Sequence, residues 1–131
     1  MSTSNGQFAK GLAKIWRSHQ EIIQQRVATI AEAVHLLTLN QLPAEMRQRA
    51  GEDAHKLAGN LGTFGHPTAS DHARSLELRL LASEPLVPGD GQQLIVHVKS
   101  LQAAIQEISA AMEKPDTAVA AATTGESGGP K

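Results

Sequence analysis

Between Gln7 and Leu39 the chain carries no proline and, beyond Gly11, no glycine, while Phe8, Leu12, Ile15, Ile22, Ile30, Val34 and Leu37 recur at helical spacing. A stretch this long with one apolar face must lie against other helices, because most helical stability in a protein comes from packing such a face. Ser18 and Glu21 fit a capping box, so the sequence allows either one long helix or a short N-terminal capping helix followed by a longer one.

Three further segments repeat the pattern. Pro43 stands where a first-turn proline is tolerated, and Met46, Ala50, Ala54, Leu57 and Leu61 mark one face of a helix that should end near the glycines of residues 62–65. Pro67 opens the next helix in the same way, with Ala69, Ala73, Leu76 and Leu80 as its inner stripe and an end near Ser83. Residues 84–91, EPLVPGDG, read as a loop, broken twice by proline and twice by glycine. The last helix has the cleanest stripe, through Leu94, Ile95, Val98, Leu101, Ile105, Ile108 and Met112. With two Phe, one Trp and no Tyr, the core has to be aliphatic, which suits helices better than a sheet. The expectation is all-α: an antiparallel up-down four-helix bundle over residues 7–114, preceded by a disordered N-terminus at 1–6. Residues 115–131 lack large apolar side chains and read as a disordered tail or a linker.

Twelve Lys and Arg against thirteen Asp and Glu give a formal charge of −1 with no block of one sign, which argues against a nucleic-acid partner. The absence of cysteine excludes disulfides and thiolate metal sites. No signal-peptide run and no stretch near the ~20 apolar residues of a membrane span occur, so a soluble, cytoplasmic protein without membrane contact is expected. Six histidines show neither HExxH spacing nor a pair at i and i+4, so ordinary surface histidines are expected and no metal site. His66, beside Pro67, reads as a turn residue, and His72 and Arg74 are placed near His55 across the bundle with no chemistry assigned. Trp16 and Phe8 read as caps on the open end of the bundle, with a partner-binding patch on the N-terminal helix as the alternative, and Glu52 and Asp53 read as part of a solvated helix face.

His55 is the residue that does not fit a bland bundle. At roughly 100° per residue it lies roughly 120–140° from the centre of the apolar stripe of its helix and so faces outward. Gly51, Gly59 and Gly62 fall on nearly the same stripe as His55, and each glycine inside a helix costs about 0.5–1 kcal/mol relative to alanine. Bare backbone beside an exposed imidazole leaves room for a partner surface that includes Gly51, Glu52, Gly59 and Gly62. The competing reading is that Gly59 and Gly62 permit tight helix packing or announce the helix end.

Ala54, His55, Lys56, Leu57, Gly59, Gly62, Thr63, Phe64 and Gly65 together resemble the signature of histidine-containing phosphotransfer (HPt) domains. Leu76 and Glu77 resemble the leucine–glutamate pair found downstream in that family, and the similarity runs over roughly residues 20–112. The resemblance implies a phosphorelay intermediate of two-component signalling. In it Nε2 of His55 accepts a phosphoryl group from the aspartyl phosphate of one receiver domain and donates it to the aspartate of another. A hybrid sensor kinase is a further partner it suggests. It implies no cofactor of the domain's own, with Mg²⁺ supplied by the acidic pocket of the receiver. The chain has no recognisable ATP-binding motif, so it should carry the phosphoryl group without phosphorylating itself. Many family members have lysine three residues after the histidine, where this chain has Ala58, leaving Lys56 as the nearest cation for phosphate neutralisation. That departure keeps a second expectation open: a helical interaction or scaffold module that binds receiver-like partners without being phosphorylated.

Overall fold

The computed structural model describes residues 2–113, with side chains from residue 10 to 112. The four helices are α1 (Ser2–Thr38), α2 (Ala44–Thr63), α3 (Pro67–Leu80) and α4 (Pro88–Glu113), and the described residues contain no strand. Phe8 and the tail from residue 114 lie outside the residues whose side chains are described.

α1 is continuous. It begins at Ser2, earlier than the start at Gln7 read from the sequence, and it does not break at Ser18. Once a helix is nucleated each further residue adds a hydrogen bond at little cost, and nothing from Ser2 to Gln7 forbids it. The Ser18 hydroxyl donates back to the carbonyl of Ile15 at 2.8 Å, the bond of a serine inside a helix, and so caps nothing. The buried stripe of α1 runs through Ala13, Trp16, Ile23, Val27, Ile30, Val34 and Leu37. Ile15 and Ile22, expected on that stripe, are exposed. The apolar spacing was compatible with either phase early in the helix, and small Ala13 and flat Trp16 occupy the inner positions.

Two compact units divide the chain, Met1–Glu21 with Gln106–Lys131, and Ile22–Ile105. In the first, Trp16 is fully buried and its indole Nε1 donates to Ser109 Oγ at 3.1 Å, which satisfies the one polar atom of a side chain otherwise packed as core. The second is a four-helix bundle whose short connections make successive helices antiparallel. Its core is aliphatic as expected, with Leu57, Leu61, Leu76, Leu80, Leu101 and Ile30 almost inaccessible to solvent. Each such side chain contributes roughly 1.5–3 kcal/mol on burial.

The helix ends explain the loop boundaries. α2 stops in a Schellman motif, in which Gly65 takes φ of +79°, its N–H donates to Gly62 O, and the N–H of His66 donates to Leu61 O. His66 then starts α3 with Pro67 in the first turn, the turn duty expected of it. α3 ends at Leu80, three residues before the expected end. The 84–91 loop is shorter than its composition suggests, because Pro88 begins α4, where its missing N–H costs nothing. Asp90 reaches back to accept from the N–H of Val87 at 2.9 Å, and it also accepts from Arg79 Nη2 at 2.9 Å. Gly91 is thus a buried helical residue against Thr38, not a loop residue.

Candidate functional site

His55 projects from the middle of α2, its side chain 68% exposed. The orientation read from the helical phase therefore holds, with Ala50, Ala54, Leu57 and Leu61 turned into the core. Its Nδ1 lies 2.8 Å from Oε2 of Glu77 on α3, a side chain only 16% exposed. An ionised carboxylate can only accept, so the bond places the proton on Nδ1 and leaves Nε2 of the neutral ring with its lone pair directed away from Glu77. The second carboxylate oxygen, Oε1, is buried without a hydrogen-bond partner, so ring and carboxylate are held by this one contact. Such a ring has the lone pair a nucleophile needs at Nε2 and an orientation set from behind.

An open hollow surrounds the ring, lined by Gln48, Glu52, His55, Lys56, Glu77 and Leu81. Lys56, about 100° round the helix from His55, still shares this hollow and is exposed. Glu52 is exposed and accepts a hydrogen bond from Gln48 Nε2 at 3.0 Å. Its neighbour Asp53 departs from the solvated reading: it is half-buried, and desolvation raises its pKa, opposed by the charges of Lys56, Arg26 and Arg49.

The three glycines of the stripe do different things. Gly59 is exposed, and a Cβ there would meet no atom within 4 Å, so nothing inside the molecule requires glycine at that position. Gly62 is exposed as well, with only Ser70 Oγ in ordinary contact at 3.8 Å. Gly51, expected on the open surface, does not lie there. It is buried, and a Cβ there would overlap the Leu81 side chain and approach Leu80 Cβ to 3.3 Å. The cause is the close approach of α3 on that flank of α2, so Gly51 belongs to the helix seam and not to an open partner surface.

Ala58 is also buried at this seam, and its carbonyl accepts from Ser70 Oγ at 2.8 Å. His72, expected near His55, instead meets His97 of α4, with Nδ1 atoms 2.9 Å apart and ring centroids at 5.2 Å. Five residues before Glu77, it points about 140° away from it round α3. Arg74 is exposed and is not among the residues lining the hollow at His55. Nε2 of His66 is buried without a partner, and burial lowers the pKa of that ring.

Glu77 is the site residue that helical phase and composition did not select. Only its place in the leucine–glutamate resemblance signalled it, since its partner is 22 positions away.

The Hpt domain family model matches residues 15–114. Protein RcaC of Microchaete diplosiphon is 32% identical over 101 residues, which cover 77% of this chain and 16% of that protein. The chain thus spans about a sixth of the length of that curated relative. No solved structure matches it.

Proposed function

Since the chain belongs to the Hpt domain family, the phosphocarriers of two-component signalling, we propose that it relays a phosphoryl group between receiver-domain aspartates on Nε2 of His55. The observation that carries this reading is the 2.8 Å contact from Nδ1 of an exposed His55 to a mostly buried Glu77.

In the transfer, the Nε2 lone pair attacks phosphorus in line, the N–P bond forms, and the acyl phosphate P–O bond breaks to regenerate the receiver's carboxylate. The imidazole becomes cationic as the bond forms, and the Glu77 carboxylate at Nδ1–H offsets that charge. Return of the phosphoryl group to a second aspartate reverses the steps, and the same contact releases the ring as a neutral leaving group. Lys56, on the rim of the hollow, is the cation available to the phosphoryl oxygens. Exposed Gly59 and Gly62, with Glu52, form the surface against which a receiver comes close. Mg²⁺ is expected from the acidic pocket of the receiver. Among the described residues no helix is long and apolar enough to cross a membrane, and no three His, Asp or Glu stand together as a metal site.

The test is transfer of label from a panel of phosphorylated receivers. Wild type should take up acid-labile phosphate and His55→Gln none. Equal uptake by the two proteins would sink the proposal. One observation favours the rival reading of a binding module: Ala58, where many relatives have lysine, is buried and leaves no cation at that position. Receiver binding that survives both His55→Gln and Mg²⁺ removal, without detectable phosphohistidine, would favour it.

A further inference from the structure

The seam between α2 and α3 has a regular order. Arg47, Gly51 and His55 follow one another at four-residue intervals along α2, drifting only about 40° per step, so they form one row on the flank facing α3. Their partners run the opposite way along the chain. The Arg47 guanidinium donates from Nε to Leu80 O at 2.8 Å, and from Nη2 to Ala82 O and to Glu84 O at 2.8 Å. Gly51 receives Leu80 and Leu81. His55 meets Glu77.

The end of α3 leaves carbonyls without intrahelical partners, and Arg47 takes that of the last helical residue, Leu80, together with those of Ala82 and Glu84 in the segment that follows, which sets a positive charge at the negative end of the helix dipole. A rigid planar fork that bonds several carbonyls fixes where the helix end lies along α2, not merely that the two helices touch. Gly51 sets the second coordinate, depth, because the missing Cβ lets Leu81 settle against the α2 backbone. One turn further on, Glu77 can reach Nδ1 only if both coordinates are right.

We infer that Arg47 and Gly51 are positioning residues for the phosphoacceptor, fixing the register and depth of α3 so that Glu77 holds His55 as its Nδ1–H tautomer. Neither touches the reacting nitrogen. The role attached to that nitrogen rests on the function proposed above, whereas the tautomer is a property of the ring itself and can be read without any phosphoryl donor.

The experiment therefore has two readouts on the full chain. ¹⁵N spectra of the histidine rings report the His55 tautomer, and labelling by phosphoramidate, a small donor that needs no docking surface, reports Nε2 reactivity. Arg47→Met should shift His55 away from the Nδ1–H form and slow labelling about tenfold, the loss expected for one charge-assisted hydrogen bond. Arg47→Lys, a single cation at the same place, should recover part of both. Gly51→Ala keeps the fold by pushing the flexible Leu81 aside and should shift the tautomer the same way, and adding Leu81→Ala should reverse it. If Arg47→Met fails to fold, the Gly51 series decides alone. A wild-type His55 spectrum in folded Arg47→Met or in Gly51→Ala overturns the inference. Wild-type protein that takes no label from phosphoramidate or from any receiver, with the tautomer shifts still present, overturns the proposed function and leaves the positioning roles standing.

Discussion

Two pairs of side chains on this bundle join helices through an imidazole Nδ1, and they differ in what lies on the other side. His55 faces the carboxylate of Glu77, a permanent acceptor, and the ring stands in solvent. His72 faces His97, a second imidazole, and both rings are half-buried between α3 and α4. A carboxylate tolerates either charge state of its ring and gains when the ring becomes cationic. A neutral imidazole partner can accept only while it stays unprotonated, so two cations would be forced together at 2.9 Å. The first arrangement suits a nucleophile whose ring must become positive. The second serves the interior and penalises protonation.

Replacing each ring separates the two pairs most sharply. His55→Gln should abolish phosphohistidine formation altogether, while His72→Gln and His97→Gln retain it, as followed by transfer from a phosphorylated receiver. Loss of transfer in His97→Gln at full folding would erase the distinction.

The next largest effect tests the partner. Glu77→Gln keeps an oxygen that can accept from Nδ1 but removes the charge, and should slow transfer about tenfold. Glu77→Ala should slow it further, and single-turnover rates measured at saturating receiver would separate this from weaker docking. An Ala variant as fast as wild type would reduce Glu77 to a packing residue.

Acid should act on the other pair. The pKa of His97 is lowered by burial and then by the charge of His72, so below the ordinary imidazole value near 6.5 the unfolded chain binds a proton more readily than the folded one. Stability should therefore be full above that value and fall as pH drops toward the depressed folded value. His66, lowered by burial alone, adds in the same direction. Denaturant midpoints across this range should fall in wild type and flatten partly in His72→Leu/His97→Leu. An unchanged slope in that double variant would remove the pair from the account.

The smallest expected change is at the glycines beside His55. Gly59→Ala should stabilise the protein by about 0.5–1 kcal/mol, since the added methyl meets nothing and the helix gains propensity, while receiver-dependent labelling slows. Gly51→Ala should show no such gain, because its methyl must displace Leu81. Chemical denaturation of both variants checks the contrast.

These two glycines also mark how far the sequence could be read. Both lie one turn from His55, about 40° to either side of it in helical phase, and that nearness alone assigned them the same open surface. Whether a neighbouring helix covers one of them depends on where α3 crosses α2, which no local pattern encodes. The same holds for Ile15 and Ile22, apolar and correctly spaced yet exposed, since the inner phase of α1 is chosen by what packs against Trp16 and Ile23. The sequence does not decide the continuity of α1 through Ser18, because a capping box and an exposed turn in the middle of a helix share one pattern.

What the sequence determined unaided was local. Helical periodicity, the prolines at the helix starts and the outward phase of His55 follow from each residue's near neighbours, as did the match of the 54–65 segment to a known signature. Tertiary structure alone decided which side chain stands behind the imidazole. Glu77 and not His72 reaches it, because the register of α3 along α2 is set by contacts more than 20 residues apart in the chain, among them the Arg47 guanidinium on the end of the helix.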